Sequence, residues 1–351
     1  MMDTTIIIEK SVIILVVFAI TMLMAMYSTW AERKVAAWLQ DRIGPNRAGP
    51  LGLLQPLADG LKLFAKEEFE PNTPNKFLFV VGPAIAMSTA LMTSAVIPWG
   101  DKLHLFGRDI LLQATDINVA VLYVFAVVSV GVYGIMIGGW ASNNKFSLMG
   151  AVRAASQMVS YEVAMGLSMI ALLMMTGSLS LREISAQQAG MNWNVFYQPV
   201  SFLIFLICAF AETNRTPFDL AECESELIGG YHTEYSSMKM GFYLFAEYAN
   251  MFISSTILAI LFFGGYNYPG MSWVVENVGV NIGNIIGIGV LFVKICGFIF
   301  FYMWVRWTIP RFRYDQLMHL GWRILIPLSI INIMITGIVI LRADIAAYLG
   351  F

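Results

Sequence analysis

Five ionisable side chains lie within or at the end of long apolar segments. Glu162 and Glu247 lie roughly 9 Å inside their segments at about 1.5 Å per residue, and Lys294 lies near the middle of another. Glu32 and Glu212 end two further segments. An Asp, Lys or Arg at the centre of a membrane helix costs about 2.5–3.5 kcal/mol, so each group indicates a functional site. The chemistry that such groups can do is proton uptake and release.

Residues 212–247 are strongly acidic, with seven carboxylates against only Arg215 and Lys239. Glu222 and Glu226 share one face if that part of the stretch is helical. Carboxylates that are crowded into a poorly solvated site cannot all ionise, so some hold protons near neutral pH and titrate as a coupled group. Such a cluster takes up or releases protons when a nearby charge changes.

Other interpretations of these charges stay open. The acidic stretch is also typical of a solvated loop, and Glu222, Glu224 and Glu226 could bind a divalent cation. Lys294 is expected to be either a structural counter-ion for one of the acids or a member of a proton relay. We predict that the acids from several segments face one shared polar compartment.

The elements that position these residues follow from composition. The chain has 351 residues, of which 58% are apolar and 13% charged, whereas soluble domains have roughly 45–50% and about 25%. A mean hydropathy of +0.70 excludes a disordered tail or a solvated binding module. The formal charge is −2 and no basic block occurs, so nothing indicates a nucleic-acid partner.

Eight apolar runs are long enough to cross a hydrocarbon core of about 30 Å. They fall at roughly 11–31, 77–98, 117–139, 157–176, 193–211, 241–263, 283–305 and 322–341. The sequence therefore predicts an all-α polytopic membrane protein, with eight transmembrane helices in a single domain. The first run lacks the cleavage site of a signal peptide. The fifth is the least secure and predicts a short or broken helix, because its strongly apolar part covers only residues 199–211.

Orientation follows from the distribution of positive charge, since cytoplasmic loops retain Lys and Arg. Fifteen of these residues fall in the loops after the first, third, fifth and seventh spans, against five on the opposite side. Both termini are therefore predicted to face outward. The two long loops, 32–76 and 212–240, are predicted to be cytoplasmic.

The first long loop contains an amphipathic segment. Between residues 53 and 66 the apolar residues fall on one helical face, at Leu54, Leu57, Leu61 and Phe64. This spacing predicts a helix that lies at the cytoplasmic membrane interface. The preceding residues 41–50 contain Gly-Pro pairs that confine the backbone to turns.

Catalytic groups are missing from the sequence pattern. Three cysteines, at 208, 223 and 296, have no spacing typical of an iron–sulfur cluster, a zinc site or a disulfide framework. No nucleophile with a neighbouring base and no phosphate-binding glycine loop is found. The chain alone is therefore expected to have no redox chemistry, no catalytic residue, no bound metal and no cofactor of its own.

Four blocks resemble a known family. They are Ala-Glu-Arg-Lys at 31–34 with Asp-Arg-Ile-Gly-Pro-Asn-Arg-Ala-Gly-Pro at 41–50 and Leu-Gln-Pro-Leu-Ala-Asp-Gly-Leu-Lys at 54–62; Gly-Trp-Ala-Ser-Asn-Asn-Lys at 139–145 with Ser-Tyr-Glu at 160–162; 211–222 with 224–227; and 310–317. In this order they are similar to one family of NADH-quinone oxidoreductase membrane subunits, the family that includes mitochondrial NADH dehydrogenase subunit 1.

The resemblance implies a subunit of respiratory complex I, a translocase of the bacterial cell inner membrane. Its partners would be the peripheral subunits at the quinone site, which carry FMN and iron–sulfur clusters, the antiporter-like membrane subunits, and lipid. The substrate would be quinone. The residues that match the family's quinone passage are Arg33, Arg42, Asp59, Lys62, Phe218 and Arg306. Those that match its acidic proton relay are Glu162, Glu212, Glu222, Glu224, Glu226 and Glu247.

One departure from the family concerns the third span. Some members carry a further acid there, but residues 117–139 contain none. The relay must bridge this gap through water, Tyr123, Tyr133 or Ser129, or work without it.

The residues and the resemblance together suggest one mechanism. Quinone enters sideways from the bilayer past the amphipathic helix, and its reduction shifts protons among the buried acids. Replacing Glu212 or Glu226 with glutamine is then expected to lower the rates of quinone reduction and proton pumping together. The competing interpretations are the membrane subunit of an energy-converting hydrogenase, an autonomous ion transporter, and a passive scaffold for peripheral subunits.

Overall fold

Long α-helices make up most of the structure. The computed structural model describes residues 4–71, 75–105 and 107–349, without the side chains of residues 4–6, 105, 224, 225 and 343–349. The longer helices are α1 (Thr4–Leu39), α2 (Gln55–Ala65), α3 (Lys76–Thr93), α4 (Ala120–Ala141), α5 (Lys145–Thr176), α8 (Pro199–Glu212), α10 (Ser237–Phe263), α12 (Val280–Thr308) and α14 (Ile326–Leu349). The shorter ones are α6 (Leu181–Gln187), α7 (Asn194–Tyr197), α9 (Glu224–Leu227), α11 (Met271–Asn277) and α13 (Tyr314–His319).

Within the described ranges, seven helical segments are long and apolar enough to cross a membrane, by length and composition. They are Ile7–Leu39, Lys76–Val96, Ala120–Ala141, Lys145–Thr176, Ser237–Phe263, Val280–Thr308 and Tyr314–Arg342. The prediction of an all-α polytopic membrane protein is confirmed. The predicted span that is not among them is the fifth, 193–211, which corresponds to α7 and to α8, a helix of only 14 residues.

Helix α8 is short because the chain breaks just before it. Gln198 has φ −130° and ψ 57° and separates α7 from α8, and Pro199 lacks the N–H that would continue the helical hydrogen bonds. The Gln198 amide instead donates to the Thr336 hydroxyl at 2.9 Å and accepts from Asn332. These buried side chains supply the polar partners that a broken helix at membrane depth needs.

Two helices run well beyond the apolar runs that define them in the sequence. Helix α1 continues to Leu39, past residue 31, and α5 begins at Lys145, about three turns before residue 157. In both extensions one face stays buried, at Val35, Ala36, Ala37, Ser147, Ala151 and Ala154. A hydropathy window locates the membrane core, whereas helices end where hydrogen bonds and packing end.

The last span is also irregular. A wide π-helical turn at Leu320–Leu325 joins α13 to α14. Pro327 follows it and has no N–H to donate to the turn before, which loosens the backbone there.

Close packing between α3 and α4 depends on small residues. A Cβ atom on Gly134 would lie 2.9 Å from the Gly82 carbonyl oxygen of α3. A Cβ on Gly138 would lie 1.9 Å from the Tyr243 hydroxyl of α10. Glycine therefore lets these helices approach closely, as small residues do in membrane bundles.

The predicted amphipathic helix is confirmed as α2. Leu57, Leu61 and Phe64 on its apolar face are exposed. At the other end of the bundle, the antiparallel strands β1 (Lys102–Leu105) and β2 (Arg108–Leu111) form a hairpin beside the start of α12. We call the end that carries Glu32, Glu212 and Glu247 the acidic end, and the end with this hairpin the hairpin end.

Candidate functional site

A buried network of charges at the acidic end centres on Arg215. Its Nη1 lies 3.4 Å from Glu32 Oε2, and its Nη2 lies 3.8 Å from Glu247 Oε2. Its guanidinium carbon lies 4.2 Å from the centre of the Tyr248 ring, and Arg306 donates to the other oxygen of Glu32. We call these five residues the Arg215 cluster. It ties α1, α10 and α12 to the segment that follows α8.

Burial makes these charges depend on one another. Glu32 and Arg215 are only 6% and 5% exposed. Burial acts against the charged form of Arg215, but Tyr248, Glu32, Glu247 and Glu222 together hold its pKa above the ordinary value. Arg215 therefore stays positively charged, and the negative charges of the neighbouring acids balance it.

A tight turn places two further groups beside the cluster. The Tyr231 hydroxyl donates to Glu247 Oε1 at 2.9 Å, and the next residue, His232, has Nδ1 3.6 Å from Glu222 Oε1. The turn begins at Gly230, whose φ is +64°. A Cβ there would lie 1.7 Å from the Ala221 carbonyl oxygen, so only glycine fits.

Glu222 is poised to hold a proton. Burial raises its pKa well above the ordinary value, and the nearby Glu247 and Asp219 raise it further, whereas Arg215 opposes them. The charge of Glu247 thus acts directly on the Glu222 carboxyl. The protonation of Glu222 therefore depends on the charges that surround it.

Asp219 lies on the other side of the same loop. Its Oδ2 accepts from Arg311 Nη2 at 2.8 Å, and Arg311 Nη1 also contacts Cys223 Sγ at 3.2 Å. Burial raises the pKa of Asp219, and the Arg311 charge opposes this rise. The loop after α8 is thus anchored to the segment after α12.

Glu212 ends α8 between two cavities. It is 7% exposed, and neither of its carboxylate oxygens has a hydrogen-bond partner in the described part of the chain. One cavity, of about 50 Å³, is lined mainly by apolar side chains of α4, α8 and α10. The other, of about 30 Å³, also reaches Tyr231 and Glu247. Glu212 therefore connects the neighbourhood of the Arg215 cluster to an apolar interior.

Glu162 on α5 faces α4. Its carboxyl lies near the Ser129 hydroxyl of α4 and within electrostatic range of Glu212. Tyr123 instead donates to the Met92 carbonyl at 3.3 Å, and Tyr133 is 64% exposed. Of the three side chains considered for the gap in the third span, Ser129 is the one that faces Glu162.

Glu226 lies apart from the buried acids. Its Oε2 is 2.5 Å from Arg153 Nη1, and its side chain is 52% exposed. The helix that would align Glu222 with Glu226 covers only Glu224–Leu227, because Cys223 has the non-helical angles φ −37° and ψ 93°. The condition for a shared helix face, a helix that spans both residues, is therefore not met. The Glu224 side chain is outside the described residues, and elsewhere in the described chain no three His, Cys, Asp or Glu are grouped as metal ligands.

The residues expected to line a quinone passage fall into separate groups. Arg33 Nη1 lies 2.7 Å from Asp59 Oδ2, and Lys62 lies 3.5 Å from the other oxygen, so these three connect α1 to α2. Arg42 is exposed and donates to Gln40. Phe218 is buried in an aromatic group with Tyr161 and Phe312, with ring centres 5.4 and 5.5 Å away. Arg306 belongs to the Arg215 cluster.

Lys294 is far from the acids. Its Nζ donates to the backbone carbonyls of Phe263, Gly265 and Asn267 at 2.7–2.8 Å, at the C-terminal end of α10. The residues from Glu247 to Phe263 span about 24 Å at 1.5 Å per residue, so Lys294 lies toward the hairpin end. Its contacts are those of a cation that caps a helix C-terminus.

Replacing Lys294 with methionine is expected to destabilise the protein without a specific loss of proton transfer. Three charge-assisted hydrogen bonds are lost, which costs about 1.5–3 kcal/mol. We expect a lower midpoint of thermal unfolding but unchanged proton pumping per assembled enzyme. Methionine at the exposed Lys76 is the control, and an unchanged midpoint in Lys294→Met would contradict the capping role.

Sequence reasoning does not single out several residues of the site. Arg215, Tyr231, His232 and Tyr248 all contact the buried acids, yet none is among the predicted relay or passage residues. The sequence does mark Arg215, because it is one of two cations in a strongly acidic stretch. No pattern marks the other three, because their partners lie elsewhere in the chain.

Comparison with known proteins gives the family. The profile of the family described as NADH dehydrogenase matches residues 11–337. An NADH-quinone oxidoreductase subunit of Flavobacterium psychrophilum is 90% identical over 340 residues, covering 97% of this chain and 99% of that protein. The subunit of the same name from Flavobacterium johnsoniae is 85% identical over 350 residues, covering 100% of both chains, and that from Thermomicrobium roseum is 49% identical over 325 residues, covering 89% and 90%. The chain belongs to the NADH dehydrogenase family.

Proposed function

We propose that this chain is the membrane subunit of a proton-pumping NADH-quinone oxidoreductase that lines the quinone-access passage and couples quinone reduction to proton translocation. The names of the relatives support a subunit of that enzyme. They favour it over the membrane subunit of an energy-converting hydrogenase. We place the iron–sulfur clusters in partner subunits, because Cys208 lies in α8, Cys223 in the loop before α9 and Cys296 in α12, without the spacing of cluster ligands. FMN is proposed to lie in a partner subunit as well.

The observation that carries the proposal is the Arg215 cluster and its neighbours. One buried cation, Arg215, holds Glu32 and Glu247, and Glu247 in turn raises the pKa of Glu222. In such a group a change of one charge alters the proton affinity of the others. A negative charge that develops on a nearby quinone would therefore draw protons toward the cluster, and its neutralisation would release them.

The cavities beside Glu212 suggest how such protons move onward. Glu212 borders the cavity that reaches Glu247 and interacts electrostatically with Glu162 on α5. We propose that protons pass from Glu222 and Glu247 through Glu212 to Glu162, with Ser129 as the polar group on α4. In this scheme Glu226 and Glu224 form the end of the relay nearest the loop surface. Lys294 is left out because of its distance.

The quinone passage is proposed to lie beside α2. Arg33 and Lys62 hold Asp59, so the helix is tethered to α1 while Leu61 and Phe64 remain exposed. An exposed apolar face beside anchored charges suits a surface along which a long apolar substrate leaves the bilayer. Both termini would face the periplasm of a bacterial inner membrane, with eight spans in the assembled enzyme.

The experiment that tests this function replaces Glu247 with glutamine in the complete enzyme, reconstituted in vesicles. Glutamine keeps the shape of the side chain but holds no exchangeable charge, so quinone reduction and proton pumping should fall together. Glutamine at the exposed Glu276, near the hairpin end, is the control. Unchanged pumping in Glu247→Gln would favour a passive scaffold, and proton transport by this chain alone would favour an autonomous transporter.

A further inference from the structure

His232 occupies the margin of the buried acids. Its side chain is 17% exposed and that of Glu222 is 21% exposed, whereas Glu32 and Arg215 are only 8% and 6% exposed. The turn that fixes His232 also fixes Tyr231 on Glu247, and the two rings pack edge to face with centres 5.3 Å apart. His232 and Glu222 thus lie side by side at the solvent-accessible edge of the buried acids, with the Glu247 carboxylate next to them.

We propose that His232 passes protons between solvent and Glu222. This inference rests on the proposed function and adds to the relay a residue that sequence reasoning does not single out. Histidine suits the task because its imidazole gains and loses a proton near neutral pH and has a nitrogen on each side of the ring. The His232 Nδ1 to Glu222 Oε1 distance of 3.6 Å closes to a hydrogen bond with a small side-chain rotation.

The transfer is a balanced proton exchange. Protonated His232 gives the hydrogen on Nδ1 to Glu222 Oε1, which leaves a neutral imidazole and a neutral carboxyl. The neutral imidazole keeps its hydrogen on Nε2 and has a free lone pair on Nδ1. When the ring turns toward solvent, Nδ1 takes a proton from a hydronium ion, which leaves a water molecule and restores the imidazolium. No electron moves and no other bond is broken.

The surrounding groups explain why the exchange passes through this residue. Glu222 and Tyr231 face His232, while Glu247, Asp219 and Arg215 act on Glu222. The Asp219 carboxylate is paired with Arg311, and the Arg215 guanidinium stays charged. Among these groups, His232 is the one imidazole, and its side chain is partly exposed.

Alanine at His232 in the complete enzyme tests the proposal. General acid–base groups contribute about 10²–10⁴-fold, but water can partly replace a missing one, so we expect about a tenfold loss of quinone-reductase rate. Adding free imidazole should restore most of the rate, since it can enter the space left by the side chain and carry the proton. A merely structural role would not respond to imidazole.

A second variant distinguishes a loss of proton transfer from a folding defect. Glutamine at His232 fills similar space and can hydrogen-bond to Glu222 but does not titrate. Its loss of rate should grow as pH rises, because the proton must then come from an ever scarcer hydronium ion. An equal loss at every pH without imidazole rescue, or full activity in both variants, would overturn the role of His232. If Glu247→Gln were also fully active, the proposed function itself would fail.

Discussion

Replacing Glu212 with glutamine is expected to lower quinone reduction and proton translocation together, by about 10²-fold or more. Glu212 is buried between the two cavities, and neither of its oxygens has a hydrogen-bond partner in the described part of the chain. Glutamine leaves the shape of this site intact but removes the group that can take up a proton. Protons from Glu247 would then have no carrier toward Glu162.

The measurement is the rate of quinone reduction and the proton gradient, both in vesicles that contain the assembled enzyme. Glutamine at Glu183, which lies near the hairpin end and accepts from the Ser178 hydroxyl, is the matched control and should have no effect on pumping. Glu212→Asp keeps a carboxyl group on a shorter side chain, so this variant should retain part of the activity. Normal pumping in Glu212→Gln would remove this residue from the relay.

Replacing Arg215 with glutamine is expected to prevent stable assembly of the enzyme. Its guanidinium balances Glu32 and Glu247 and stacks on Tyr248, all in poorly solvated surroundings. Removing one partner of a buried ion pair costs about 3–5 kcal/mol, because the remaining charge has lost its balance. The amount of assembled complex in native gels, together with its quinone-reductase activity, measures this loss.

Two companion variants separate charge from shape at Arg215. Arg215→Lys keeps the charge, but an ammonium group cannot bind both acids as a planar guanidinium does. We therefore expect less assembled complex and lower quinone-reductase activity than in the unchanged enzyme. Glutamine at both Arg215 and Glu32 removes a cation and an anion together, and should assemble better than Arg215→Gln alone. Equal assembly of the single and double variants would show that the charge balance is not what holds the site.

The membrane architecture could be predicted largely from the sequence. Apolar runs that are long enough to cross a bilayer leave few alternatives to helices, because backbone groups in lipid must be satisfied within the segment. The amphipathic spacing of Leu57, Leu61 and Phe64 predicts α2 for the same local reason. The weak fifth run likewise indicates the break at Gln198.

The ends of the helices could not be predicted in this way. Helices α1 and α5 extend beyond their apolar runs, because helix ends are decided by packing and hydrogen bonds rather than by hydropathy. The contacts of Lys294 could not be predicted from its place in the sequence either. Its position within an apolar run suggests a charge that needs a counter-ion, whereas the structure gives it three carbonyls at the end of another helix.

The candidate acids can be identified from the amino-acid sequence, since charge in an apolar segment is costly wherever it occurs. Which of these acids contact one another depends on how the helices pack. Glu32, Arg215 and Glu247 are far apart in the chain and are joined by packing, whereas Glu226, only four residues from Glu222, points to the surface beside Arg153. Electrostatic coupling depends on distance and burial in space, and neither can be read from the order of residues along the chain.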